Sequence, residues 1–228
     1  TQNSVSQTEQ ATSVEMIFPD GTPGFQVDAG VETFGGTSLG FAKQSLRISF
    51  KDQYGPTKLN FPVFEGTPGG ETATEEFDQI LLRSGSHDTR FYTHGNGTQG
   101  IYFRNRWAFD RQLEMGQPAP HGRFVQVYLN GVYWGQYDLM ERPDADWASS
   151  HFGGEEDDWD VMLGGAAIDG DTVAWSQMFA LADAGLASPT AYAQMEQLLD
   201  IDEFIDYMML NLVAYNQDWF GGSKNYYA

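Results

Sequence analysis

Three residue groups in this chain have types and spacings suited to chemistry. Asn216, Asp218, Lys224 and Asn225 lie in NQDWFGGSKNYYA, which follows an apolar helical pattern and contains a Gly-Gly loop. Asp218 and Asn225 flank that loop, so a carboxylate and an amide oxygen could converge on one magnesium ion or on a substrate hydroxyl. Glu141 and Arg142 arrive together near the end of FVQVYLNGVYWGQYDLMERPD, Phe124 to Asp144. Side chains fixed by a sheet at that point could face a cleft at small entropic cost. Lys43 follows the glycine-rich stretch Gly36-Thr37-Ser38-Leu39-Gly40. Backbone N–H groups and one ammonium in that arrangement suit phosphates, and a plain β-turn explains the same residues.

Other motifs carry less. Gly36 to Gly40 matches G-x-S-x-G, but a nucleophile elbow needs a helix after it and this one leads into the strand pattern SLRISFK. Gly95, Gly97 and Gly100 fit G-x-G-x-x-G without a surrounding βαβ unit. His87, His94, His121 and His151 show neither i, i+4 pairing nor HExxH, so they read as surface residues and a zinc hydrolase is disfavoured. EEDDWD and Asp169-Gly170-Asp171 lack the ligand order of a calcium loop and read as solvated acidic segments.

The elements that must position these groups follow from periodicity. Asn130-Gly131 between runs rich in Val, Tyr, Trp and Leu predicts a hairpin with a type I′ turn. Leu46, Ile48 and Phe50 alternate with Arg47 and Ser49, which predicts a strand. Residues 51–79 mix Gly, Pro, Thr and Glu and predict a long excursion before a strand at Ile80-Leu81-Leu82, followed by Arg83. Near-helical spacing over 101–115 predicts a helix, and the pattern recurs in 172–186, 189–199 and 202–216. Pro189 and Asp200 mark two of the starts. In the last helix Phe204, Ile205, Met208, Met209, Leu212 and Val213 form one apolar stripe, expected to pack in a core. The chain is therefore expected to be α+β, with a β-rich N-terminal half and a helical C-terminal third.

Composition sets the outer bounds. A chain of 228 residues with 16 Phe, 11 Tyr and 6 Trp can fill a core in one large domain or two lobes. The net charge of −20 argues against a phosphate-backbone binder, so no nucleic acid is expected. Residues 150–228 hold 14 acids and one base, Lys224, so they should repel anions unless divalent cations bind. Without cysteine, thiol catalysis and disulfides are excluded. No apolar run approaches the length of a membrane span. Residues 1–13 are polar and expected to be flexible.

Taken together, several segments resemble the CotH family of atypical protein kinases, over roughly Val14 to Ala228. The matching pieces are GGTSLGFAKQSLRISFK, YGPTKLNFPVF, LLRSG, IYFRNRWAFD, LNGVYWGQYDLMERPDADW, FIDYMMLNLVAYNQDW and Asn225 in KNYY. The resemblance implies a reduced protein-kinase-like fold over 14–228, with ATP between a β-rich lobe and a helical lobe. It implies transfer of the γ-phosphoryl group to Ser or Thr hydroxyls of a secreted or surface protein, with Mg²⁺ or Mn²⁺. Lys43 would contact nucleotide phosphates and be oriented by Glu141. Asp218 would accept or orient the acceptor hydroxyl or ligate metal, Asn225 would hold metal, and Arg83 and Arg142 would reach phosphates or form structural ion pairs. The family pattern continues past the Asn225 block with a further metal-binding carboxylate, so the domain is expected to be truncated at its C-terminal end.

Two other function classes fit parts of the pattern. One is a kinase-derived binding or adhesion module that keeps the fold without the chemistry. The other is a glycoside hydrolase using Glu141 and Asp218 as its carboxylate pair.

Overall fold

In a computed structural model, the structure describes residues 8–85, 88–89, 100–216 and 225–228. The chain is α+β and divides into two compact units. The first comprises residues 1–110 and 120–142, and the second residues 111–119 and 143–228.

The first unit is built on a six-stranded antiparallel sheet. Its strands are β1 (Gln10–Met16), β2 (Phe25–Phe34), β3 (Ser45–Ser49), β6 (Gln79–Arg83), β7 (Gly122–Leu129) and β8 (Val132–Met140). Their spatial order is β1-β2-β3-β6-β8-β7. β1 starts at Gln10, so part of the polar stretch expected to be flexible is strand. Pairing with β2 satisfies its backbone, and Val14 and Met16 pack against the core.

Side chains alternate across a strand, so each sheet face is read in steps of two. One face carries Ile48, Ile80, Leu82, Tyr137 and Leu139 into the core. The excursion covers that face. Its short strands β4 (Leu59–Asn60) and β5 (Glu76–Phe77) pair with each other. Leu59, Val63, Phe64 and Phe77 are all buried, with Phe64 and Phe77 edge to face at 5.7 Å. The stretch predicted as a loop therefore supplies much of the core. Its Gly, Pro and Thr residues make turns between buried aromatics, and no periodic signal results.

The β7–β8 hairpin forms as predicted, with φ of 50° at Asn130 and 79° at Gly131. The register shifts near Val127 and Tyr128, where a bulge inserts Trp134 opposite the ladder. Helix α1 (Arg104–Glu114) matches the predicted helix, and its last residues, from Arg111, fall in the second unit.

The second unit contains α2 (Ala145–Phe152), the hairpin β9 (Val161–Leu163) and β10 (Ala166–Asp169), then α3 (Val173–Ala184), α4 (Pro189–Met195) and α5 (Ile201–Val213). Side-chain caps start three helices: Asp144 accepts from Trp147 N at 3.0 Å, Ser188 from Ala191 N at 3.1 Å, and Asp200 from Glu203 N at 2.9 Å. The hairpin is a strand element within the C-terminal third expected to be helical, ahead of the first helical pattern at 172–186. The expectation for the apolar stripe of α5 is also overturned: Phe204, Ile205, Met209, Leu212 and Val213 are exposed. Periodicity marks an apolar face, and whether anything covers it is a long-range matter. Among the described residues no helix is long and apolar enough to cross a membrane.

Candidate functional site

The sheet face opposite the core carries polar residues. Arg83 and Asp138 are cross-strand partners in β6 and β8, and Phe124 of β7 faces Asp138 from the other side. Asp88 fixes the start of α1 beside them: its carboxylate accepts from the backbone N–H groups of Ile101 and Arg104, both at 3.1 Å. α1 in turn delivers Asn105 and Arg106. These side chains, with Ser84, line a cavity of about 120 Å³ within the first unit.

Arg106 is almost fully buried. Its Nε donates to Asp110 at 2.7 Å and its Nη2 to the Pro120 carbonyl at 2.6 Å. Burial pushes the Asp138 carboxyl up to about 6, against the pull of the Arg106 and Arg83 guanidiniums and with the help of Asp110. Asp138 Oδ1 and Arg106 Nη1 are both buried without a hydrogen-bond partner among the described residues. Gly122 lies against both. A Cβ there would come within 2.1 Å of Arg106 Nη1 and 3.0 Å of Asp138 Oδ1.

Lys43 borders this cavity. Its ammonium donates to the carbonyl of Ser84 at 3.0 Å and to that of Gln136, and it sits 4.3 Å from the centre of the Tyr137 ring. Ser84, Gln136 and Tyr137 all line the cavity. Burial holds the Lys43 pKa below the ordinary lysine range. Two carbonyls occupy two of its three N–H donors, and no described carboxylate forms an ion pair with it.

Glu141 goes elsewhere. Its Oε2 accepts from the His121 backbone N–H at 2.8 Å and lies 2.8 Å from His121 Nδ1. The structure thus does not bring Lys43 and Glu141 into the expected pair. A strand rises about 3.3 Å per residue, which carries Glu141 about 13 Å beyond Tyr137. Glu141 also follows Tyr137 and Leu139 on the core face. His121, expected at the surface, is 1% exposed.

The remaining sequence-predicted residues are scattered or outside the described set. Arg142 donates to Gln79 Oε1 at 2.7 Å, with its guanidinium 5.9 Å from the Phe34 ring. Asn225 is exposed in the second unit, at the start of a segment whose Ala228 exchanges backbone hydrogen bonds with Met162 of β9. Asp218 and Lys224 lie outside the described residues.

A family model described as CotH kinase protein matches residues 31–228, most of the chain. The chain belongs to that family. No curated protein gives a significant match. CotH membership points to a kinase-like function. The match opens at Val31 in β2 and covers every element from there to Ala228, so the cavity of the first unit lies within the CotH region.

In this CotH chain, the guanidiniums of Arg83 and Arg106 converge on one sheet face although the net charge is strongly negative, and Lys43 stands at the border of that cavity against the Tyr137 ring. Lys43 and Arg83 can donate to a phosphate or another oxyanion. A metal site is less complete: Asn225 offers one oxygen, and its proposed partner Asp218 is outside the described residues. Asp138, Asp88 and Arg106 were missed by sequence reasoning. Asp138 left one usable signal, a lone acid between apolar residues in a strand run.

Proposed function

We propose that this chain is an ATP-dependent protein kinase that phosphorylates Ser or Thr hydroxyls of a secreted or surface protein, with Mg²⁺ or Mn²⁺. The observation that carries this reading is the half-buried Lys43 ammonium. It has no carboxylate partner among the described residues, and it borders a cavity lined by Arg83 and Arg106. A partly desolvated cation with a spare N–H calls for an anion, and the family supplies the class of anion.

When bound, ATP supplies the transferable phosphoryl group and the divalent ion offsets its charge. Lys43 and Arg83 would hold phosphate oxygens. Asp218 would orient the acceptor hydroxyl, and Asn225 with Asp218 would hold the metal. Glu141 is reassigned from orienting Lys43 to fixing His121. Arg142 is kept as a structural cation tied to Gln79. The β-rich and helical units would correspond to the two kinase-like lobes. An acidic chain needs the metal here, since its own carboxylates repel a triphosphate.

The reading is tested by following phosphate transfer from ATP to a generic acceptor protein, with Mg²⁺ or Mn²⁺, in the native chain and in Lys43→Met and Asp218→Ala. Transfer that is lost in both variants supports it. Nucleotide-dependent stabilisation without transfer to any protein would favour a non-catalytic binding module, and no nucleotide effect at all would sink the kinase reading.

A further inference from the structure

The buried pair His121 and Glu141 is not used by the proposed phosphate site, and its outer end meets a hydroxyl. The excursion makes a short 3-10 turn, Gly70–Thr72, which places Thr72 Oγ1 2.9 Å from His121 Nε2. His121 Nδ1 lies 2.8 Å from Glu141 Oε2. Two backbone contacts hold this pair rigidly: the His121 N–H donates to the same carboxylate at 2.8 Å, and Glu141 N–H donates to the His121 carbonyl at 3.0 Å. His121 and Glu141 are each 1% exposed, whereas Thr72 is exposed.

Hydroxyl, imidazole and carboxylate therefore stand in the order that makes an alcohol nucleophilic. The carboxylate orients the ring and balances the imidazolium that forms when the alcohol loses its proton. At rest the Thr72 hydroxyl donates to the Gly69 carbonyl at 2.9 Å, so its proton turns from that carbonyl to His121 Nε2 as the step begins. The cavity described above does not include Thr72. An exposed, base-assisted hydroxyl set apart from that cavity is placed to receive a group from another molecule.

We propose that Thr72 is a phosphoryl-acceptor site of this chain, activated by His121 and Glu141 and modified by a second copy; this rests on the kinase reading. In the step, Thr72 Oγ1 forms a bond to the γ-phosphorus of a nucleoside triphosphate as the bond to the bridging oxygen breaks. The nucleoside diphosphate leaves with that electron pair. The hydroxyl proton passes to His121 Nε2, and Glu141 balances the resulting charge. The imidazolium then donates to the new phosphate, a charge-assisted hydrogen bond.

The test incubates the full chain with ATP and Mn²⁺, beside casein as a generic acceptor, and maps phosphorylated residues by mass spectrometry. A fluorophosphonate probe, which reacts with activated hydroxyls without any kinase, is run in parallel. Phosphate at Thr72 is expected, retained in Thr72→Ser and lost in Thr72→Val, with casein labelling and melting temperature unchanged in Thr72→Val. His121→Gln should slow Thr72 modification by about 100-fold. Labelled casein with bare Thr72 overturns this inference and leaves the kinase reading standing. If neither is labelled by ATP, the kinase reading falls and the probe decides Thr72. Probe adducts at Thr72 that are lost in His121→Gln keep the activated hydroxyl, and none overturns it.

Discussion

Arg83 and Asp138 face each other across the β6–β8 ladder, on the polar side of a sheet whose other side is the main core of the first unit. Burial nevertheless raises the Asp138 carboxyl to about 6 from an ordinary value of 3.8. Two nearby guanidiniums do not fully offset the loss of water.

That shift has a definite pH signature. The folded state binds the Asp138 proton more tightly than the unfolded chain, so its contribution to stability is full below about pH 3.8 and is lost as pH rises through about 6. Asp138→Asn should flatten the dependence between pH 4 and 6.5, with roughly 2 kcal/mol at stake. Melting temperature against pH, compared for the two proteins, measures it. Parallel curves would refute the shift.

Gly122 is required by close approach. The Cβ of Gly122→Ala would meet the buried guanidinium of Arg106, whose Nε and Nη2 are tied to Asp110 and Pro120. The variant is expected to lose about 1–3 kcal/mol in chemical denaturation, as overpacked sites do. A neutral result would mean that Arg106 can move aside.

Glu141→Ala separates a structural role from a nucleotide role. It removes the carboxylate that the buried His121 backbone N–H and ring nitrogen meet, and a buried polar group that loses its acceptor costs about 1–3 kcal/mol. The expected outcome is a large fall in melting temperature for the chain without nucleotide. A variant of unchanged stability that fails to respond to ATP would instead restore Glu141 to the phosphate site.

Lys43→Met should do the reverse. The side chain keeps its length over the Tyr137 ring and loses its charge, so stability without ATP should change little. Stabilisation by Mg²⁺ and ATP, read by thermal shift, should disappear. An equal response in both proteins would remove Lys43 from the nucleotide contacts.

Asn130 and Gly131 both adopt positive φ in the hairpin turn. Gly131→Val is expected to cost about 1–2 kcal/mol, because a branched side chain is strained in that region. Urea midpoints of the two proteins test this, and an unchanged midpoint would show that the turn can adopt another type.

The sequence by itself determined what depends on neighbours within a few residues. Asn130-Gly131 between alternating strands yields the hairpin, because a type I′ turn needs those φ values and matches the twist of the strands. Pro189 and Asp200 mark where α4 and α5 begin, because capping is local chemistry. The motif blocks were enough to identify the family, which spans residues 31–228. Tertiary structure decided what depends on residues far apart in the chain. Whether residues 51–79 form a loose loop or a core layer turns on their burial of Phe64 and Phe77 against the sheet. Whether the α5 stripe is covered turns on what else packs there, and among the described residues it stays exposed. Glu141 was matched with Lys43 through the family resemblance, yet the rise of β8 and its position on the core face gave it to His121. Charge partners are set by strand register and face, and a linear pattern shows the residue types without showing which of them meet.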